Sequence, residues 1–419
     1  MITNVGGKGM AAFAQLYAIF VFSKIHTQTE ASVVFLLLGY AIWFQVFEFG
    51  LAQTLQNRFN SGSSAANDVR VLIVFHYFFV LGVALYVIFN PALPSLLLPT
   101  DRFAIDGTEF RAFSIGMAVM IIATSNQIVQ RMLLVINKGL LSNALLAIQS
   151  AAVLVGLALY QQTDQPNLMV SVLIYLLPQM IVNFPFVFGM MRKLIVNRNN
   201  IGKDSYASIC MYAAEFWVLN ILSAIFLGAD YYFAAHYLDS EQIVFYHFAT
   251  RFYFLSFVAY YAYVHHQARR LTPFALQDGA PEIRKILRNS MFIGLASVLL
   301  VYLSVITLDS FAVFTYVIGK NVISHSLMLA ALFYFSIRVF RDVGLVVLGN
   351  VGEKSILYKV YIIEVSVGLT LLNLTVEKFD GMGIFLSMAF TVLISTSVLY
   401  YFFKNLVKDS SHKVALGEI

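Results

Sequence analysis

The residues of this sequence that could do chemistry are ionisable side chains inside otherwise apolar runs. Arg251 lies among mainly aromatic residues, and Glu48, Glu215 and Asp230 lie in other apolar runs. If these runs cross a membrane, each such charge costs about 2.5–3.5 kcal/mol at the bilayer centre, so it should face a cavity, a pathway or a partner. Arg251 should therefore bind an anionic head group, or pair with an acid such as Asp230 or Glu48 as part of a gate. The alternative is a static buried salt bridge.

The acids have spacings that suit a pathway. Glu215 and Asp230 are 15 residues apart, which is about 22 Å along a helix. Glu48 belongs to a polar stripe at helical spacing, together with Gln45, Ala52 and Gln56. One interpretation is an ion path; the alternatives are hydrogen bonding of Glu48 to a neighbouring helix and solvation of Asp230 at an interface.

A polar stretch in the fourth apolar run consists of Thr124, Ser125, Asn126, Gln127, Gln130 and Arg131. It is too polar for lipid contact, so we expect it to line a wet space; interhelical hydrogen bonding is the alternative. Close to Arg251, the rings of Tyr246 and Tyr253 carry polar tips that suit sugar faces.

A second charged group lies further along the chain. Arg338, Arg341 and Asp342 should include an i,i+4 ion pair, with Glu364 as a candidate partner. We expect this group to be structural. No metal-binding spacing or catalytic triad is legible, and the one cysteine, Cys210, allows no intramolecular disulfide. The sequence therefore predicts no metal, no cofactor, no catalytic residue and no enzyme.

The elements that position these residues follow from composition. The 419 residues are 60% hydrophobic and 12% charged, against about 45–50% and 25% in soluble proteins, and mean hydropathy is +0.78. This excludes soluble enzyme folds. Apolar runs of roughly 20 residues, each enough to cross a bilayer, occur about twelve times; the second is Ala31–Gln56 and the fourth Arg111–Ile136. The predicted fold is an all-α polytopic membrane protein.

The basic residues set the predicted orientation. With the N-terminus inside, 21 of the 27 lysines and arginines lie in cytoplasmic segments and the adjoining helix ends, and five lie on the other side; Arg251 alone remains inside a helix. Lysine and arginine accumulate in cytoplasmic loops, so both termini should be cytoplasmic. The net charge of +5 is accounted for by these loops and does not indicate nucleic-acid binding.

Internal repetition predicts the domain organisation. A shift of about 210 residues lays the first six spans on the last six, as in transporters built from parallel repeats. We therefore predict an N-terminal six-helix bundle at 1–191, a cytoplasmic linker at 192–208 and a C-terminal six-helix bundle at 209–419.

Two stretches carry a resemblance to a known family. They are Phe49-Gly50-Leu51 through Arg58, and Leu227-Gly228-Ala229-Asp230 through Phe245-Tyr246 to Arg251. With the twelve-span pattern, the chain resembles over its whole length the bacterial polysaccharide transporter family, specifically Wzx-type O-antigen flippases of the multidrug/oligosaccharidyl-lipid/polysaccharide superfamily.

This resemblance implies a function. Two bundles would alternate access around a cation-lined cavity, moving an undecaprenyl-pyrophosphate-linked oligosaccharide from the cytoplasmic to the periplasmic leaflet of the bacterial inner membrane. Proton or sodium coupling is implied by the family; Glu48, Glu215 and Asp230 are the candidate acids. The candidate substrate-binding residues are Arg251, Arg131, Gln127, Arg58, Tyr246 and Tyr253. The implied partners are the lipid-linked substrate, membrane lipid, an O-antigen polymerase and a chain-length regulator.

Three alternatives differ in class. An O-antigen polymerase would carry a large periplasmic loop with arginines, whereas the long loops here are predicted to be cytoplasmic. A major facilitator transporter would carry a charged signature that is absent from Gln56 to Arg70. A drug/cation antiporter of the same superfamily stays open.

Overall fold

The computed structural model describes residues 2–51, 54, 66–99, 106–126, 128–130, 133, 138–196, 203–268, 280–351 and 354–415. These residues are almost entirely helical, and none of them forms a strand. Among them, seven helices are long and apolar enough to cross a membrane by length and composition. The chain is an all-α polytopic membrane protein, as the sequence predicts.

The helices up to the middle of the chain are α1 (Ile2–Ile25), α2 (Gln28–Gly39), α3 (Ala41–Phe44), α4 (Ala66–Phe89), α5 (Ala92–Leu97), α6 (Gly107–Ser125), α7 (Gly139–Tyr160) and α8 (Leu168–Val196). Those that follow are α9 (Lys203–Tyr237), α10 (Ser240–Ala268), α11 (Ala280–Ser310), α12 (Val313–Ile318), α13 (His325–Val351) and α14 (Lys354–Ala415). Each predicted span overlaps one or more of these helices.

The last helix contains two of the predicted spans. Helix α14 has 62 residues, about 90 Å at the usual rise, which exceeds twice the thickness of a hydrocarbon core. Its regular backbone is interrupted at Asp380, where φ is 50° and ψ is −138°. The interruption divides α14 into two helical stretches, one for each predicted span.

Side-chain caps begin two of the membrane helices. Before α2, the Thr27 hydroxyl accepts the backbone N–H of Glu30 at 3.2 Å, and the Glu30 carboxylate accepts the N–H of Thr27 at 3.0 Å. Before α6, Asp106 and Glu109 make the same reciprocal pair. These caps satisfy backbone donors that helix starts leave unpaired.

The second predicted span breaks where the sequence suggested a continuous helix. A short 3₁₀ helix, Gln45–Glu48, follows α3, and then Phe49 and Gly50 adopt left-handed φ angles of 53° and 67°. Left-handed residues cannot continue a right-handed helix. The expectation of one helix from Ala31 to Gln56, with a single polar stripe along it, is therefore wrong; Ala52 and Gln56 lie outside the described residues.

The chain forms two compact units, Met1–Val244 and Phe245–Ile419. Helix α9, the seventh predicted span, therefore packs within the first unit. The division at 192–208 comes from internal repetition, which packing does not test, so it stays a prediction. Helix α8 ends at Val196 and α9 begins at Lys203, and residues 197–202 lie outside the described part of the chain.

Close packing joins the second span to α9 inside the first unit. The indole N–H of Trp217 donates to the carbonyl of Val46 at 2.9 Å. A Cβ on Gly228 would lie 1.7 Å from Nε1 of Trp43, so only glycine allows this contact. Small residues let membrane helices approach closely, and here they hold α9 against the segment that carries Glu48.

Candidate functional site

A buried network of two arginines and two acids lies in the second unit. Arg341 makes a forked contact with Glu364, from Nε to Oε1 at 2.6 Å and from Nη2 to Oε2 at 2.5 Å, and its Nη1 donates to Asp342 at 2.7 Å. Nε of Arg338 donates to Asp342 at 3.1 Å. Tyr261 donates its hydroxyl proton to Asp342.

All four carboxylate oxygens of this network accept hydrogen bonds. Ser395 completes the set by donating to Oε1 of Glu364 at 2.8 Å. The guanidinium of Arg338 lies 5.3 Å from the ring centres of both Phe254 and Phe257. The predicted i,i+4 pair, Arg338 with Asp342, is confirmed, and Glu364, the candidate partner of this group, pairs with Arg341. Two positive and two negative charges that satisfy each other join α10, α13 and α14, which is a structural role.

Arg251 lies on α10 of the same unit in a different setting. Its side chain is half-buried, whereas Arg338 and Arg341 are buried. Its guanidinium carbon is 5.8 Å from the ring centre of Phe254, and His247, one helical turn away, is fully buried. Arg251 thus lies beside an aromatic ring and keeps part of its side chain accessible.

The two tyrosines predicted to contact sugar are buried in the core of the second unit. Tyr246 stacks on Phe385 with ring centres 4.8 Å apart. Tyr253 stacks on Phe335 at 5.1 Å, and its hydroxyl donates to the carbonyl of Met328 at 2.9 Å. Each is no more than 1% exposed. Their sugar-binding role stays a prediction, and their observed contacts are those of core residues.

The three candidate coupling acids lie in the first unit. Glu48 and Asp230 are buried, and Glu215 is half-buried. Asp230 accepts the N–H of Tyr231 at 2.7 Å. Gly50, two residues after Glu48, packs on Ala213, two residues before Glu215, so these two acids lie near the same end of α9 and Asp230 lies near the other.

A polar cavity of about 140 Å³ opens between α1, α6, α7 and α8 of the first unit. Its lining contains five amide side chains, from Gln15, Gln130, Gln149, Gln179 and Asn183. The other described lining residues are Ala11, Ala14, Ala123, Leu146, Ser150, Val153 and Tyr175, so the described lining includes no acid or base. We call this space the amide cavity.

The polar stretch of the fourth span reaches the amide cavity through Gln130, which also donates to Gln149 of α7, so the expectation of a wet space stays a prediction beside its interhelical alternative. Thr124 and Ser125 instead donate to carbonyls of their own helix, and Asn126 donates to the carbonyl of Met180 at 3.3 Å. The remaining predicted substrate contacts, Arg58, Gln127 and Arg131, lie outside the described residues.

Sequence reasoning did not single out Gln149, Gln179 or Asn183. A signal was present, because Gln179 and Asn183 are one helical turn apart in an apolar run and Gln149 precedes Ser150 in another. Single amides in membrane helices are common as links between helices. Only the packing shows that these amides face one space. Across the described residues, no group of three or more His, Cys, Asp or Glu side chains could hold a metal ion.

Comparison with solved structures identifies the fold. An inward-facing multidrug resistance MATE family transporter of the MOP superfamily superposes with a TM-score of 0.70 at 13% identity, covering 96% of both chains. The lipid II flippase MurJ, in an inward closed conformation, gives 0.69 at 13% identity over 99% of this chain and 91% of its own. The chain has the fold of the MOP superfamily transporters.

The chain is also similar in sequence to a protein with a more specific name. The chain is 20% identical over 365 residues to a protein of Yersinia pseudotuberculosis named "Putative O-antigen export protein", covering 83% of this chain and 82% of the relative. No protein-family model matches the chain. The resemblance to O-antigen flippases that the sequence suggested is thus supported by a relative and by a shared fold.

Proposed function

We propose that this chain is a flippase that moves undecaprenyl-pyrophosphate-linked oligosaccharide units from the cytoplasmic to the periplasmic leaflet of a bacterial inner membrane. The observation that carries the proposal is the similarity, over most of both chains, to the Yersinia protein named for O-antigen export. The shared fold with the lipid II flippase agrees with a lipid-linked cargo. These relatives are transporters and flippases, and we infer no enzymatic step.

Arg251 is the residue we assign to the diphosphate of this substrate. A guanidinium matches phosphate oxygens with forked donors, which a lysine ammonium does not. Its half-buried place beside Phe254 leaves it accessible in surroundings that strengthen charge-assisted hydrogen bonds. Arg338 and Arg341 are committed to Asp342 and Glu364.

The experiment measures the leaflet distribution of lipid-linked repeat units in cells, together with surface polysaccharide. Loss of the chain should strand these units on the cytoplasmic leaflet. Arg251→Lys should be impaired and Arg251→Ala worse, since one charge-assisted contact is worth about 1.5–3 kcal/mol, or roughly one to two decades in affinity. Arg288→Ala, at an exposed arginine of the same unit, is the matched control and should behave as wild type.

Two outcomes would contradict this assignment. Wild-type surface polysaccharide in cells with Arg251→Ala at normal membrane abundance would contradict the assignment of Arg251 to the diphosphate. Recovery of abundance and transport when Arg251→Ala is combined with Glu48→Gln or Asp230→Asn would show a static ion pair instead. Unchanged leaflet distribution in the absence of the chain would overturn the flippase function itself, and drug sensitivity in that strain would favour the antiporter alternative, which the MATE fold also allows.

Coupling to an ion gradient is the finer part of the proposal. Glu48, Glu215 and Asp230 are acids in or beside apolar helices, where protonation or a bound cation would offset the cost of burial. In the same assay, the dependence of transport on the proton or sodium gradient should change in Glu48→Gln and Asp230→Asn. Wild-type gradient response in both variants would place coupling elsewhere.

A further inference from the structure

The amide cavity of the first unit presents hydrogen-bonding groups that the described part of the chain does not satisfy. We propose that it binds one neutral sugar ring. The identity of its natural ligand, a sugar of the transported oligosaccharide, rests on the proposed function. The argument for a neutral, hydroxyl-bearing ligand rests on the cavity alone.

Hydrogen bonds show which polar atoms of two lining amides are already used. Oε1 of Gln149 accepts from Nε2 of Gln130 at 3.4 Å, and Nε2 of Gln149 has no partner among the described residues. Nδ2 of Asn183 donates to the carbonyl of Gln179 at 3.1 Å, and within the same described set Oδ1 of Asn183 has none. Both side chains are at least 96% buried, at 4% and 2% exposure. Buried polar atoms are normally paired, so these two lining side chains lack one acceptor and one donor.

The charge of the ligand follows from these two atoms. A cation would be repelled by the amide donor of Gln149, and an anion by the carbonyl oxygen of Asn183. No carboxylate or basic group among the described lining residues would compensate either charge. A hydroxyl group can accept from Gln149 and donate to Asn183. Several hydroxyls on one ring could also reach the amides of Gln15 and Gln130.

Size and access point to one ring. A closed apolar cavity of about 150 Å³ takes up benzene, a bare six-membered ring; the amide cavity has about 140 Å³ and is open on one side, so it has room for no more than one ring. Ala11, Ala14 and Ala123 leave this space unfilled. Gln15 is exposed whereas Gln149 and Asn183 are buried, so the cavity has an open side and a buried end. Tyr175 adds an aromatic wall.

The test measures binding of free sugars to the full-length chain in lipid nanodiscs by saturation-transfer NMR. The probes are glucose, galactose, mannose and N-acetylglucosamine, each uncharged. At least one should bind, and Asn183→Leu and Gln149→Leu should each weaken its binding by about tenfold, because each removes one hydrogen bond in a desolvated site. Gln162→Leu, at an exposed amide in the same unit, should bind like wild type.

The same variants show whether a loss of binding results from misfolding. Leucine has nearly the shape of asparagine and removes an unsatisfied buried atom, so Asn183→Leu should keep normal abundance and thermal unfolding. If it fails to fold, Gln149→Leu supplies the same comparison. Absence of binding by all four sugars, or equal binding by the leucine variants, would overturn the proposal. Stabilisation by sodium chloride but not potassium chloride, lost in Asn183→Leu, would replace it with a cation site.

The outcome is separable from that of the proposed function. If lipid-linked units change leaflet normally without the chain but free sugars bind the amide cavity, the flippase function fails and the sugar site stands. If flipping depends on the chain but Asn183→Leu and Gln149→Leu leave both sugar binding and leaflet distribution unchanged, the sugar site fails alone.

Discussion

The arginines of the second unit lie in two different kinds of surroundings. Arg341 donates to both oxygens of Glu364 and to Asp342, and is 3% exposed. A group with its donors committed in this way has little left for a ligand. Arg251 is half-buried against an aromatic ring. Burial, more than charge, separates the structural arginines from the candidate ligand-binding one.

The Glu364 carboxylate should therefore be essential to folding. Glu364→Gln leaves two buried arginines to share the single charge of Asp342, and breaking a buried pair in this way costs about 3–5 kcal/mol. We expect sharply reduced membrane abundance and a lower unfolding temperature of the purified chain. Glu377→Gln, at an exposed glutamate of the same helix α14, should leave both unchanged.

Replacing both Arg341 and Glu364 distinguishes the cost of an unpaired charge from the cost of altered packing. An Arg341→Met, Glu364→Leu double variant removes both charges together, so it should recover much of the lost abundance. Normal abundance of the Glu364→Gln single variant would contradict the structural role and reopen this network as a site of ion movement.

At the scale of elements, one glycine determines where the second span ends. Gly50 has φ of 67°, and a Cβ there would lie 2.5 Å from the carbonyl oxygen of Ala213 and 2.8 Å from the backbone nitrogen of Trp217. Backbone atoms of α9 cannot move aside as a flexible side chain could. Gly50→Ala should therefore destabilise the first unit by about 1–3 kcal/mol or more, measured as thermal unfolding of the purified chain.

Gly82 provides the matched comparison. It lies in helix α4 and is exposed, and a Cβ added to it would meet no described neighbour within 4 Å. Alanine is favoured over glycine inside a helix by up to about 1 kcal/mol. Gly82→Ala should therefore match or exceed wild-type stability, and equal unfolding temperatures for Gly50→Ala and Gly82→Ala would contradict the role of Gly50.

Elements were predictable where a simple physical rule fixes them. The thickness of the bilayer sets the length of an apolar run. Opposite charges in apolar helices tend to pair, which predicted an i,i+4 pair among Arg338, Arg341 and Asp342 and named Glu364 as a candidate partner. The break at Phe49 and Gly50 was not predictable, because the surrounding run is as apolar as a continuous helix and the left-handed turn is fixed by contact with α9.

The amide cavity shows a second limit of prediction from the sequence. Amides in membrane helices usually satisfy each other, so Gln149 and Asn183 look ordinary in the sequence. Their importance comes from which of their two polar atoms is already used, Oε1 in one and Nδ2 in the other. That depends on four helices that are distant in sequence, and no local pattern contains it.

At the scale of the whole molecule, the distribution of basic residues predicts how the chain is oriented in the membrane. Transport from the cytoplasmic to the periplasmic leaflet requires a defined orientation, and 21 of 27 lysines and arginines fall on one predicted side. Positive charges in short loops resist translocation. The expected orientation has both termini, and the end of α9 that carries Cys210, in the cytoplasm.

The single cysteine allows this orientation to be measured on the unaltered chain. Cys210 is exposed and precedes the apolar part of α9, so a membrane-impermeant maleimide should label it in inverted vesicles but not in right-side-out spheroplasts. A Cys210→Ser, Gln162→Cys chain carries its thiol in an exposed loop predicted to be periplasmic, and it should show the reverse pattern. Because α9 follows six predicted spans, labelling of Cys210 from outside would invert the whole scheme or remove one span before it. The loop thiol locates the error: a lost span between residues 162 and 210 changes only the label of Cys210, whereas a full inversion, or a span lost before residue 162, reverses both labels.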